Sequence, residues 1–252
     1  MQRVKRKIYS GCVLEQEVYT VERVRTGCGH REPKPRFNSP EERAAHKDGI
    51  SRRRHRRLVN ENFSPASLYS TLTFDRENEV HDFEDARHLR DLYYRRLKRA
   101  YPDSVIFIYM GKGKHTNRIH LHMLTDGIPK EQLIAGWKYG QITDCEHLRS
   151  HNFYDGVDHG QDYTALADYL WSHWTPEQGG KRWKQSQNAR QPEKEQAKAI
   201  KRNYSPEKPP RTPKGYILVD IKATKYGYIN FRYVREPEPY TRPRPPKKNK
   251  KE

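Results

Sequence analysis

Two histidines one residue apart, His120 and His122, stand in the run RIHLHMLTDG (118–127). In an extended strand side chains alternate, so Ile119, Leu121 and Met123 project from one face and both imidazoles from the other. Imidazoles at that spacing can grip one divalent cation, a donor type suited to Mn, Zn or Fe. An unliganded surface pair is the bland alternative. The neighbouring loop, MGKGKHTNR, favours chemistry, because it sets Lys112 and Lys114 beside the pair in a chain rich in cations.

The chain has 252 residues, with 50 Lys and Arg against 32 Asp and Glu, a formal charge of +18. That imbalance suits a partner carrying phosphates. An anionic membrane surface would also attract it, but no amphipathic basic helix with a clean apolar stripe and no apolar run near 18 residues is present. The expected partner is nucleic acid, with no membrane and no small-molecule substrate. Three cysteines, Cys12, Cys28 and Cys145, are too scattered for a disulfide framework. No secretory leader precedes them, so the expected compartment is the cytoplasm. Cys12, Cys28 and His30 lack a paired knuckle and are expected to be ordinary residues, not zinc ligands.

Only 33% of residues are apolar, so core-forming segments must be concentrated. Residues 1–37 are expected to be a basic, turn-rich extension in which VLEQEVYTVERVR is the only strand pattern. Ser39, Pro40 and Glu42 form a capping box for a helix toward Leu58; its SRRRHRRL run either coats a solvated face or meets phosphates. SLYSTLTF (67–74) is a strand. Phe83, Ala86, Leu89, Leu92, Tyr93, Leu97 and Ala100 predict a helix that Pro102 stops. Strands at 104–110 and 118–127, a helix at 130–137, a strand around GQITDCEHL and a helix at 161–174 follow. The predicted class is α+β: an antiparallel sheet with helices packed on one face. The body spans 38–190, a basic linker 191–214, a β-hairpin 215–235 and a disordered basic tail 236–252.

The motif His120-Leu121-His122 resembles the His-hydrophobic-His signature of the HUH endonucleases. NF (62, 63) before STLTF, then GKGKHTNRIHLHMLTDGIP, WKYGQI, ALADYL and KRWKQSQN resemble rolling-circle replication initiators of plasmids and of filamentous phages, over roughly residues 38–190. The resemblance implies a palm-like sheet, a bound Mg or Mn ion, and a tyrosine that attacks one DNA strand to form a 5′-phosphotyrosine. It implies origin DNA in single-stranded form as substrate, with the helicase and polymerase supplied by a host.

Seventeen tyrosines compete for the nucleophile's role. On the last helix Tyr163, Leu166, Ala167, Leu170 and Trp174 share the side that should pack on the sheet, whereas Tyr169 projects off that stripe with Asp162 and His173. ALADYL is also the segment that resembles the one carrying the nucleophile, which points to Tyr169. Relaxases place their tyrosine near the N-terminus, where Tyr9 has no periodic surroundings.

Two positions depart from the family pattern. Ser172 stands where a lysine is expected three residues past the tyrosine, leaving His173 to neutralise the phosphotyrosine or to be solvated. No carboxylate matches the expected third metal ligand, so His115 and Asp162 are the substitutes. Lys181, Arg182 and Trp183 in KRWK, with Lys112 and Lys114, suit single-stranded DNA, whose phosphates meet cations and whose bases stack on indoles. A single-tyrosine transposase and a non-catalytic nucleic-acid binder are the rival readings.

Overall fold

Strand β4 (Val105–Lys112) is apolar on both of its faces, and a strand of that kind can only be stable with cover on both sides. The computed structural model, which describes residues 2–21, 37, 39–78, 80–113 and 116–240, provides that cover.

Two hairpin strands, β1 (Gln2–Ser10) and β2 (Val13–Val21), open the chain. Helix α1 (Pro40–Asn62) follows, with Ser39 Oγ accepting from the Glu42 amide at 3.1 Å. Next come β3 (Leu68–Phe74) and α2 (Phe83–Ala100), the latter capped by Asp82 through the Glu84 and Asp85 amides. Then follow β4, β5 (Ile119–Asp126), α3 (Lys130–Gly136) and β6 (Gly140–His147). A short ribbon of β7 (Phe153–Tyr154) and β8 (Val157–Asp158) precedes α4 (Thr164–Ser172), and β9 (Trp183–Gln185), β10 (Glu193–Lys194), β11 (Lys198–Ala199), β12 (Tyr216–Ala223) and β13 (Ile229–Arg235) complete the described elements.

The central sheet is antiparallel in the order β6-β3-β5-β4-β9. Its first face carries Leu72, Ile106, Ile108, Leu121 and Met123 against Ala86, Tyr93 and Leu97 of α2 and Leu133 of α3. The opposite face carries Phe107, Tyr109 and Leu124 against Leu58 and Val59 of α1 and Ala167 and Leu170 of α4. The class is therefore α+β with an antiparallel sheet, but the expectation of helices on one face is corrected: two pack on each. Both layers were forced by the uninterrupted apolar run of β4.

The ends of the chain also differ from expectation. Residues 2–21 are no turn-rich extension, because β1 and β2 pair along their length and β2 pairs β13. The segment 191–214 is not merely a linker; β10 and β11 pair β1, and Ile200 and Tyr204 pack on Leu14, Val18, Phe231 and Tyr233. The second sheet, β10-β1-β2-β13-β12, thus joins both ends of the chain, and the expected C-terminal hairpin is its edge. Residues 236–240 are described, with the Glu236 amide donating to Gly215 at 2.9 Å, while 241–252, Cys28 and His30 lie outside the described residues.

The basic run of α1 is largely turned inward. Arg57 bridges Glu15 and Glu17 of β2, Arg52 and Arg56 hold Asp168 of α4, and Arg53 lies over the Tyr228 ring at 5.0 Å. His55 is fully buried, its Nε2 2.8 Å from the Tyr109 hydroxyl and its ring against Trp171 and Trp183. Burial drives its pKa down to about 3, beyond what nearby Asp168 restores. Because the folded value lies below the ordinary 6.5 or so, acid favours the unfolded chain, which takes up the proton the folded chain refuses. Between pH 7 and 5 this group should remove about 2 kcal/mol of stability. Urea unfolding at the two pH values checks this, with a His55→Phe chain expected to show a smaller drop.

Candidate metal and tyrosine centre

Strand register decides which side chains meet on the α1/α4 face. His120 lies opposite Gly111 of β4, and His122 opposite Tyr109 of β4 and Thr71 of β3. Helix α4 crosses above them. Its entry is fixed by buried Asn60 of α1, whose Oδ1 accepts from the Tyr163 amide at 2.8 Å and whose Nδ2 donates to Thr164 Oγ1 at 3.2 Å. Further along, Asp168 is clamped by Arg52 Nε at 2.8 Å and by Arg56 at 2.6 and 2.5 Å. The helix then presents Tyr169 and His173 over the histidine pair.

His120, His122 and His173 form one cluster, with a ligand nitrogen of each within 4.8 Å of the others, the group among the described residues that could hold a metal ion. Each Nδ1 has an oxygen partner: Arg118 carbonyl at 3.4 Å for His120, the Tyr69 hydroxyl at 2.7 Å and Thr71 Oγ1 at 3.2 Å for His122, and the Tyr169 carbonyl at 2.8 Å for His173. That arrangement leaves the three Nε2 atoms as donors, the usual division of labour in a ligating imidazole. The His120 and His122 Nε2 atoms stand 3.0 Å apart. Two nitrogens at right angles on one ion, each bonded at about 2.1 Å, would have about that separation. Burial lowers the pKa of His120, and lowers that of His122 to about 3 with help from its two neighbours, so both are neutral bases at pH 7. The donor set fits a borderline divalent ion.

Gly111 makes the cluster possible. A Cβ there would lie 2.8 Å from His173 Cδ2 and 3.1 Å from His120 Nε2. A Gly111→Ala chain should push the two rings apart and weaken Mn2+ binding by about 10-fold or more, read by isothermal titration.

Tyr169 is 46% exposed, so its phenol is open to a solution partner. Its ring lies 4.4 Å from His173 and 5.5 Å from His122, centroid to centroid. Below it, Tyr69 of β3 stacks on His122 at 5.7 Å; burial is the main cause that pushes the Tyr69 phenol up to about 12. Gln178, buried in the short turn Pro176–Gln178, donates to the Met110 carbonyl at 3.2 Å and the His173 carbonyl at 2.8 Å, locking the end of α4 onto β4.

The expected residues are thus sorted by the fold. His120, His122 and Tyr169 come together, and Tyr163 is core as expected. Asp162 is corrected as a metal ligand: it is 1% exposed and ion-paired with Arg232 of the second sheet at 2.5 Å, away from the histidines. His115 and Lys114 lie outside the described residues. Ser172 donates to its own helix at the Tyr169 carbonyl, 2.7 Å away, so it does not substitute for a lysine in the centre. His173 takes the third place; its i+4 spacing from Tyr169 was the visible signal. Tyr69, Thr71, Gly111 and Gln178 left none, because strand pairing is not written in local spacing.

The expected nucleic-acid groups divide as well. Lys112 ends β4 exposed, next to Gly111. Trp183 packs on His55 and Trp171, and Arg182 is sandwiched between Trp171 and Trp174 at 4.2 Å from each while paired with Asp48. Both stay partly exposed and line a cavity on the α1 side, with these partners holding the indole and the guanidinium in place. Lys181 is exposed and, with Arg54, Arg87, Arg90 and Lys184, lines the same cavity, of about 880 Å³, between α1, α2 and β9. No helix among the described residues is long and apolar enough to cross a membrane.

No protein-family model, curated protein or solved structure matches the chain.

Proposed function

We propose that the protein is a metal-dependent DNA nickase that initiates rolling-circle replication of a plasmid, phage or integrated element. The observation that carries this reading is an exposed tyrosine beside three imidazoles, each with a ligand nitrogen within 4.8 Å of the others. The net charge of +18 and the resemblance over residues 38–190 support a DNA substrate.

His120, His122 and His173 would hold the ion, which when bound polarises a phosphoryl oxygen and offsets charge developing on it. Tyr169 Oη attacks the phosphorus of a single strand; the Tyr–O–P bond forms and the P–O3′ bond breaks. The phenol loses its proton, the 3′ oxygen gains one, and the number of phosphoester bonds is conserved. The reaction is therefore reversible without an external energy source, as a nick that must later be resealed requires. Lys112 and Lys181 extend positive charge outward for flanking phosphates. A host helicase and polymerase would do the unwinding and synthesis, since the sequence lacks a G-x-x-x-x-G-K-S/T phosphate loop.

The test is incubation with a randomised single-stranded oligonucleotide library and Mn2+, followed by recovery of SDS-stable protein–DNA species and sequencing. The expected result is a covalent species with an enriched cut sequence that EDTA prevents. Tight binding with no covalent species under any divalent ion would leave a non-catalytic nucleic-acid binder instead.

A further inference from the structure

Of the two phenols at this centre, only Tyr169 is exposed; the other, Tyr69, comes from a different element and touches His122. Its hydroxyl is 2.7 Å from His122 Nδ1 and 3.3 Å from Thr71 Oγ1, and Thr71 Oγ1 is itself 3.2 Å from the same nitrogen. The Tyr69 and His122 rings are stacked with planes 18° apart, so neither can turn without the other. Tyr169 meets the same imidazole, its ring 5.5 Å from that of His122.

Direction follows from the chemistry of the imidazole. For His122 to present a lone pair at Nε2, its hydrogen must sit on Nδ1. That N–H donates to an oxygen, and the nearest is the Tyr69 hydroxyl. That acceptance holds the imidazole in one tautomer and one orientation, with its ring beside that of Tyr169.

We infer that Tyr69 is a positioning residue that holds His122 in its metal-ligating tautomer and so fixes the imidazole beside which the Tyr169 ring lies. This rests on the nickase reading for its catalytic half, but its metal half stands on the histidine cluster alone. Thr71 is the reserve acceptor for His122 Nδ1.

Tyr69→Phe keeps the ring and its packing while deleting the hydroxyl, and Thr71→Val deletes the reserve. Isothermal titration of the purified full chain with MnCl2 should show binding weakened about 10-fold in Tyr69→Phe and by up to about 100-fold in the double variant, the range typical of lost outer partners. With a cut sequence in hand, Tyr69→Phe should lower the rate of covalent capture at saturating DNA by at least about 10-fold and leave the half-saturating DNA concentration unchanged. Unchanged Mn2+ affinity in the double variant, with its thermal unfolding intact, overturns the inference, as does a parent that takes up no Mn2+. Weakened Mn2+ binding beside a parent that never captures DNA would sink the nickase reading, removing the catalytic half and keeping the tautomer half. A purely structural role would lower the unfolding temperature and move neither reading.

Discussion

A Tyr169→Phe chain is expected to bind single-stranded DNA and Mn2+ as the parent does and to form no covalent product, a fall of at least about 10³-fold in capture rate. The substitution removes one oxygen. The ring contacts with His122 and His173 at 5.5 and 4.4 Å remain available to phenylalanine, and the hydrogen bonds that place His173 use the backbone carbonyl of residue 169, not its side chain. The three-imidazole cluster should therefore survive, and the loss should be confined to chemistry. Tyr69 is the other phenol in contact with His122, but it is half-buried and its hydroxyl is engaged by His122 Nδ1 and Thr71. It is poorly placed to replace the missing nucleophile. Gel analysis under denaturing conditions, with anisotropy for DNA binding and titration for Mn2+, separates the three quantities.

The second large effect concerns stability. Arg57→Met is expected to cost about 3–5 kcal/mol, because it strands two buried carboxylates. Arg57 donates to Glu15 and, at 2.6 Å, to Glu17, whose side chains are 8% and 4% exposed. Burial alone would raise the Glu17 carboxyl, but Arg57 and Arg6 hold it down at about 2, and the Tyr228 hydroxyl donates to it at 2.8 Å. A carboxyl held below its ordinary value near 4.5 adds stability above that pH and loses it as pH falls toward 2. The Arg57→Met defect should accordingly shrink as pH falls, because without Arg57 burial raises the Glu17 carboxyl and the folded variant takes up its proton earlier than the parent does. A chain that also carries Glu15→Gln and Glu17→Gln should regain much of the loss, since uncharged amides need no counter-ion. Urea unfolding at pH 7 measures each difference. The consequence reaches the centre, for Arg57 ties the second sheet to the same helix whose Asn60 and Arg56 seat α4.

How much of this was legible in the chain varies by element. The capping box at Ser39, the stop at Pro102 and the alternation in 67–74 and 118–127 are local signals, and the structure has α1, α2, β3 and β5 within a few residues of where those signals put them. The face of Tyr169 was legible for the same reason, since a helix converts spacing directly into direction. The pairing of residues 13–18 with 229–234 was not, because it joins strands separated by most of the chain with no short turn between them to announce it. The arginine run of α1 shows the same limit: its cations are what a phosphate binder needs, yet Asp168, Glu15 and Glu17 take most of them, and those partners lie on other elements. Asp162 shared a helical face with Tyr169 in principle, but α4 starts at Thr164, so Asp162 precedes the helix and turns to Arg232.

The most direct measurement is the chemical identity of the residue that holds DNA after cleavage. Digesting the covalent product with protease and nuclease and reading the modified peptide by tandem mass spectrometry should find a nucleotide 5′-phosphate on Tyr169, formed only when a divalent ion is supplied. A nucleotide on any other residue, or the same product formed in a chain lacking His120, His122 and His173, would contradict the account.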